Sequence, residues 1–314
     1  MTDGAADDED AEEEDDTLAT ARWEADPCIT GHFRSVEDMS WDPDGEYLLT
    51  VSADQTTRLW AEVQLLPEDS SSSKPRSCRW IEIGRPQVHG YDLTSIVCVG
   101  DSLGNNATEK DGTPCHRFVS GADEKFLRVF DAPASTLRLL DAIKQSRVSA
   151  NGKKVASPEL ESSAVSWRAE RGFLPSLGLS NKATADTAEC QESSKFAGPT
   201  DEESLARTLD TVAASNGSKP LELKLPSERD LGVTSLWPET QKLFGHESEL
   251  VCLDAYRAQP SLNAAAGNGA TTLVASSCKA RNDVASAAIR LWDLKKGTCV
   301  GILKVRIRTF TFPL

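Results

Sequence analysis

Short runs of apolar and β-branched residues, separated by turn residues, set the rhythm of residues 27–62. Val36-Glu37-Asp38-Met39-Ser40-Trp41 alternates loosely, with Val36 and Trp41 as its apolar ends. Asp42-Pro43-Asp44-Gly45 follows as a turn, because Pro presets φ and Gly tolerates φ > 0. Tyr47-Leu48-Leu49-Thr50-Val51 reads as a second strand. Ala53-Asp54-Gln55 breaks the run, and Thr57-Arg58-Leu59-Trp60 reads as a third. Three short strands joined by tight turns make a meander that cannot bury both of its faces alone and must stack on others.

The pattern returns twice. From Trp80 to Asp131 a second, degenerate copy has strands at Ser95-Ile96-Val97-Cys98-Val99, from Arg117 toward Ala122, and at Phe126 to Phe130. A Gly/Asn-rich loop from Asp101 to Pro114 is its long hairpin. From Leu236 to Leu294 a third copy has strands at Leu250-Val251-Cys252-Leu253, Thr272 to Ser277 and Ala288 to Asp293, with an insertion from Lys279 to Ser286. Ile302 to Phe312 alternates as one more strand. Between the second and third copies, Ala134 to Pro226 is mostly polar and is expected to lack regular elements, except for an ordered island at Phe173 to Ala183. Pro67 to Pro75 is a Ser-rich linker, and Asp186 to Lys219 has the composition of a disordered segment.

The first copy resembles a WD repeat, the four-stranded unit of a β-propeller. Gly31-His32 opens it and Leu59-Trp60 closes it. The resemblance implies that His32, Thr50, Asp54 and Trp60 form a hydrogen-bonded chain. The chemistry suits this, because a buried indole N–H needs an acceptor and an imidazole can link a hydroxyl to a carboxylate through its two nitrogens. Asp54, His32 and Thr50 also have the composition of a nucleophilic triad, but the Trp partner and the repeat spacing favour a structural network. In the second copy His89-Gly90 stands for Gly-His, Phe130 for the Trp and Glu124 for the turn Asp, so the chain of bonds is at best partial. In the third, Gly245-His246 is present and the turn Asp is lost.

Charge changes the picture at one end only. The chain has 314 residues and a net charge of −15, and Asp3 to Asp16 carries ten carboxylates with no basic residue. That run is expected to be a disordered, solubilising tail. Without it the charge is modest, and no basic surface points to nucleic acid. The eight cysteines form no C-x-x-C pair or metal spacing. Cys98, Cys252 and Cys278 read as small hydrophobes within strands. No signal peptide or long apolar segment is expected, which places the chain inside the cell. Gly-rich phosphate loops, metal ligands and a convincing nucleophile motif are all missing, so no cofactor, no metal, no catalytic residue and no small-molecule substrate are expected.

Several segments lie outside ordinary WD grammar. They include Glu82-Ile83-Gly84-Arg85-Pro86-Gln87-Val88-His89-Gly90-Tyr91-Asp92-Leu93, Arg117 to Lys125, Leu177-Gly178-Leu179-Ser180-Asn181-Lys182-Ala183, Leu236-Trp237-Pro238-Glu239 and Gln241-Lys242-Leu243-Phe244-Gly245-His246. In this order they resemble the subunit 2 family of the Elongator complex, over about residues 27–295. The resemblance implies a non-catalytic scaffold of two seven-bladed propellers. Its partners would be the largest subunit and the radical-SAM acetyltransferase subunit of a complex that modifies tRNA wobble uridines, with tRNA met only indirectly. It also implies a partial chain from the middle of the family protein, cytoplasmic, with the nucleus as a second compartment.

The expected fold is all-β, with WD-repeat β-propeller blades from the end of one propeller and the start of a second, and long polar inserts. The expected parts are a tail (1–26), blades of a first propeller (27–185), a polar linker (186–235) and a blade beginning a second propeller (236–314). Arg85, Pro86, Gln87, His89, Tyr91 and Asp92 are the candidate partner contact, weighed against an inter-blade corner fixed by Pro86 and Gly90. The alternatives are an unrelated WD-repeat adaptor in ubiquitin ligation or chromatin, and a truncated non-functional fragment.

Overall fold

The computed structural model describes residues 29–65, 77–99, 116–150, 168–175, 180–183, 225–257, 272–279 and 288–304. The acidic tail, the Ser-rich linker, the Gly/Asn-rich loop, Leu177-Gly178-Leu179 and the span Asp186 to Lys219 lie outside them.

The first sheet consists of β1 (Val36–Trp41), β2 (Tyr47–Ser52), β3 (Thr56–Leu65) and β4 (Ser77–Val88), side by side in that order. The Asp42 turn has the expected form: Gly45 N–H donates to the Asp42 carbonyl at 2.8 Å, and Gly45 has φ of 70°, which costs a residue without Cβ little.

The second sheet begins with β5 (Leu93–Cys98), β6 (Arg117–Ala122) and β7 (Phe126–Asp131). The chain then leaves it through α1 (Ala134–Ala150), a small hairpin of β8 (Gly172–Phe173) and β9 (Lys182–Ala183), and a single helical turn, α2 (Glu228–Leu231). It returns as β10 (Glu239–Phe244), which pairs antiparallel with β7 and completes the sheet in the order β10-β7-β6-β5. The third sheet is β11 (Leu250–Arg257), β12 (Thr272–Cys278), β13 (Ala288–Asp293) and β14 (Thr298–Lys304).

The three sheets stack through two apolar seams. Phe118 and Phe130 lie stacked, with ring centroids 4.8 Å apart, and face Tyr47, Leu49, Leu59 and Ile83 of the first sheet. Val119, Leu127 and Val129, their alternates along β6 and β7, face Leu250, Val274 and Trp292. Side chains alternate across a strand, so a sheet buried on both faces reads as a continuous apolar run. Burial is nearly complete: Phe118, Val119, Leu127 and Val129 are each 0% exposed. The second and third sheets, expected to belong to different rings, therefore share one seam. The expected boundary at residue 236 falls instead inside the second sheet, because Glu239–Phe244 is its fourth strand.

Two further expectations need correction. The span after Ala134 begins with a 17-residue helix. Its apolar stripe is narrow, with Leu137, Leu140 and Ile143 three residues apart and facing the first seam beside Leu139, in a span that is otherwise mostly polar and reads as unstructured. The last strand begins at Thr298 rather than Ile302. Asp293 accepts the N–H groups of Lys295 at 2.9 Å and Lys296 at 3.2 Å, and Gly297 turns the chain with φ of 67°, so the hairpin closes early. Beyond Lys304 the expected strand lies outside the described residues.

If α1 contributes to the first seam as placed, Leu140→Ala removes a buried side chain and lowers the stability of the full chain by about 2–5 kcal/mol. Urea denaturation measures this, and an unchanged midpoint contradicts the docking of α1.

Candidate functional site

The residues with the chemistry of a site gather at one end of each sheet, where the segment before the first strand meets the β2–β3 type of hairpin. In the first sheet the structure brings all four expected residues together. Trp60 Nε1 donates to Thr50 Oγ1 at 2.8 Å. Thr50 Oγ1 lies 2.8 Å from His32 Nε2, and His32 Nδ1 lies 2.9 Å from Asp54 Oδ2. Burial lowers the His32 pKa despite the Asp54 carboxylate beside it, so the ring is neutral at pH 7. One assignment satisfies every atom: the Thr50 hydroxyl donates to Nε2, and Nδ1–H donates to Asp54.

Burial alone would push the Asp54 carboxyl up. Hydrogen bonds from Thr56 and His32 together hold it below its ordinary value. Thr56 supplies both its hydroxyl, at 2.6 Å, and its N–H, at 3.0 Å. The hairpin that carries Asp54 places Gln55 at φ of 70°. This turns the Gln55 carbonyl outward to accept the His89 N–H at 2.8 Å, which ties the first sheet to the start of the second.

The second sheet keeps the carboxylate and changes the rest. His89 Nε2 lies 3.0 Å from Glu124 Oε1. Glu124 in turn accepts Arg128 through two nitrogens, at 2.6 and 3.0 Å. Burial would raise the Glu124 pKa, but the His89 and Arg128 hydrogen bonds lower it overall. Phe130 brings no N–H, and the buried Ser120 hydroxyl, at the position of Thr50, finds no partner.

In the third sheet Trp292 Nε1 donates to Ser276 Oγ at 2.7 Å, and His246 Nε2 lies 2.6 Å from the same oxygen. No described residue replaces the lost carboxylate, and His246 Nδ1 is buried without a partner. Burial, with the Arg290 charge, lowers the His246 pKa to about 4.

One recurring partner escaped the sequence reading. Arg58, Arg128 and Arg290 each stand two residues before the closing aromatic, on the same face. Arg58 pairs with Glu82 at 2.8 Å, and Arg128 pairs with Glu239 at 2.6 Å. Both glutamates lie on the fourth strand of their sheet, directly opposite Trp60 and Phe130. The signal was the repeated Arg at fixed distance from the aromatic. The glutamates could not be found without knowing which strand comes fourth.

The comparisons with known proteins agree with this architecture. Residues 26–61 match the model of the WD domain, G-beta repeat. Elongator complex protein 2 of Danio rerio is 35% identical over 281 residues, which cover 86% of this chain. The Homo sapiens protein is 34% identical over 278 residues and 88% of the chain. That of Saccharomyces cerevisiae is 34% identical over 265 residues and 84% of it. The chain thus carries a WD repeat and is similar to Elongator complex protein 2 over most of its length. It spans 27% to 28% of the length of these relatives. The WD40 β-propeller domain of Doa1 aligns to 89% of the chain and 43% of its own, at 12% identity and a TM-score of 0.30, too low to carry an argument.

The segment expected to make partner contact is used mostly inside the molecule. Arg85 bonds Glu82 at 2.7 Å and Glu228 at 2.6 Å. The Pro86 carbonyl accepts Trp237 N–H at 2.9 Å and Asn181 Nδ2 at 2.8 Å. Gln87 is buried and accepts the Thr57 hydroxyl, and His89 holds Glu124. Tyr91 is 47% exposed. Asp92 is half-buried and meets Gln55 and Arg34. Only these last two of the six present substantial side-chain surface.

The same segment anchors the insert. Asn181, 3% exposed, bonds both Pro86 and the Trp237 carbonyl, and Gly172 packs so closely that a Cβ there would lie 2.8 Å from the Trp237 backbone. Pro86, Asn181 and Trp237 thus form the corner between the first two sheets, where Trp237 lies 5.2 Å from Phe118. Among the described residues no group of three or more His, Cys, Asp or Glu side chains is placed to hold a metal ion.

Trp60→Ala should cost about 3–5 kcal/mol through lost volume, and Asp54→Ala about 1–3 kcal/mol by orphaning His32 Nδ1. Melting curves that move for neither variant contradict the network. A pH titration of stability tests the third sheet. An imidazole that stays neutral when folded and takes a proton when unfolded loses its contribution as pH falls. The His246 contribution is therefore complete above the ordinary value of 6.5 and is lost as pH falls toward about 4, by up to about 3 kcal/mol. Asp54 and Glu124, with pKa values below the ordinary carboxylate range, act at more acid pH. His246→Gln should flatten the slope between pH 6.5 and 4, and an unchanged slope contradicts this role.

Proposed function

We propose that the chain is a non-catalytic scaffold of an Elongator complex, holding the largest subunit and the radical-SAM acetyltransferase subunit together. That complex modifies wobble uridines of tRNA. In this reading the chemistry belongs to another subunit, tRNA is met only through the assembly, and the chain works in the cytoplasm and also the nucleus. The observation that carries the reading is its likeness to Elongator complex protein 2 over 84% to 88% of the chain in an animal, a human and a yeast protein.

The geometry supports a structural use of the catalytic-looking residues. The Thr50 hydroxyl is held between Trp60 and His32 in a residue that is 7% exposed, and the Asp54 side chain is 0% exposed. A nucleophile needs a free hydroxyl that substrate can reach. Tyr91 and Asp92 are the proposed contact surface that remains of the original six residues.

Affinity purification of the tagged protein, with mass spectrometry of its partners, tests the proposal. Recovery of the largest subunit and the radical-SAM subunit is expected. Recovery of neither from soluble, folded protein overturns it and favours an adaptor of another kind.

A further inference from the structure

The third sheet keeps the hydrogen-bond donors of its network and lacks the carboxylates. In the first sheet Arg58 meets two acids, Glu82 at 2.8 Å and Asp54 at 3.7 Å. In the second Arg128 meets Glu124 and Glu239, each at 2.6 Å. Arg290 stands at the same place in the third, two residues before Trp292. The strand position opposite Trp292 is Cys299, where the first sheet has Glu82 and the second has Glu239. The hairpin acid is lost as well, and among the described residues Arg290 has no ion pair.

The proton positions follow from the bonds already described. Ser276 Oγ accepts the Trp292 indole N–H, so its single proton goes to His246 Nε2, and the ring carries its own proton on Nδ1. That N–H is buried with no acceptor, in a residue only 7% exposed. The matching atom, His32 Nδ1, donates to Asp54 Oδ2 at 2.9 Å, and the same oxygen accepts the Phe33 N–H at 3.3 Å. Glu247 follows His246 as Phe33 follows His32. The guanidinium lies beside the glycine that precedes the ring in both sheets. A Cβ on Gly31 would stand 2.6 Å from Arg58 Nη1, and one on Gly245 would stand 3.7 Å from Arg290 Nη1. Asp54 and Glu82 oppose the charge of Arg58 at His32, whereas no described carboxylate opposes that of Arg290 at His246. Arg290 is half-buried, while Arg58 and Arg128 are 4% and 2% exposed, so the third site opens to solvent past its guanidinium.

We propose that His246 Nδ1–H, the Glu247 N–H and the Arg290 guanidinium bind a carboxylate that comes from outside the sheet, in the role that Asp54 fills in the first sheet and Glu124 in the second. A buried donor without an acceptor is costly, and a guanidinium with neutral N–H groups beside it is the donor set that a carboxylate takes. One cation and two neutral donors match a single negative charge, which favours a carboxylate over a phosphate dianion. The carboxylate is that of a small free acid or of an acidic side chain in a peptide. The site stands on the geometry of the third sheet and is independent of the scaffold reading above.

Nitrogen NMR of the full 314-residue chain, labelled at its four histidines, reads the result. His246→Gln assigns the His246 ring by the loss of its signals. Acetate and a capped Gly-Asp-Gly peptide are titrated at pH 7 and constant ionic strength, with chloride as the control. Either carboxylate should move His246 Nδ1 to saturation, while His32, already bonded to Asp54, stays still. Tighter binding of acetate identifies a free acid as the ligand, and tighter binding of the peptide identifies an acidic side chain. Arg290→Gln should weaken binding by about tenfold or more, and thermal melting checks that this variant folds. A His246 signal that neither carboxylate moves, or that chloride moves equally, overturns the proposal. So does tighter binding of inorganic phosphate. A response that appears only in Asp283→Asn shows that the chain fills the site from its own insertion, and also overturns it.

Discussion

A four-stranded sheet has two faces and can cover neither by itself. The structure depends on that constraint. The middle sheet resolves it by carrying apolar residues on both faces, with Phe118 and Phe130 turned to one neighbour and Val119 and Val129 to the other. Its inner strands β6 and β7 are therefore buried almost throughout, as is β2 of the first sheet, while the outermost strands β1 and β14 are mostly exposed. The burial pattern of β6 has one half-buried residue in six, whereas β14 has one half-buried residue and six exposed.

Packing of this kind is non-directional, and the polar networks supply the order that it lacks. Each sheet fastens the segment before its first strand to its second and third strands or to the hairpin between them. It does so with a different set of atoms: Trp60, Thr50, His32 and Asp54 in the first; His89, Glu124, Arg128 and Glu239 in the second; Trp292, Ser276 and His246 in the third. The second sheet, which lost its Trp, has moved the burden to a buried ion network that reaches the fourth strand. Buried charges are tolerable only when paired and hydrogen-bonded, and Arg128 meets two carboxylates. The fourth strand arrives after a long excursion, so this network and the corner of Pro86, Asn181 and Trp237 determine where the excursion rejoins the sheet.

Strand existence was legible because the alternation and turn chemistry are local. The Asp42 turn, the three-strand meanders and the four-residue network in the first sheet all follow from neighbours in sequence and one repeat signature. Long-range assignments were not legible. Glu239–Phe244 looks like the opening of a third repeat because Gly245-His246 follows it, yet its backbone pairs with β7. The α1 helix turns only a few apolar residues inward from a mostly polar span. Arg85 to Asp92 read either as a partner contact or as an inter-blade corner, because Pro, Gly, His and Tyr serve both, and only the three-dimensional packing separates them. Cys252 read as a small hydrophobe within a strand and is exposed, because it lies on the face of the third sheet that no other described sheet covers.

Hydrogen exchange of the intact chain, followed by mass spectrometry at peptide level, tests most directly whether two-sided burial of the middle sheet organises the molecule. Exchange tracks local opening, and the most buried strands open only with the whole. Peptides from Arg117–Ala122 and Phe126–Asp131 should be among the slowest, together with Tyr47–Ser52 packed against them, with Val36–Trp41 and Thr298–Lys304 the fastest of the strands. Equal protection across all three sheets, or slower exchange in β14 than in β6, would contradict the account.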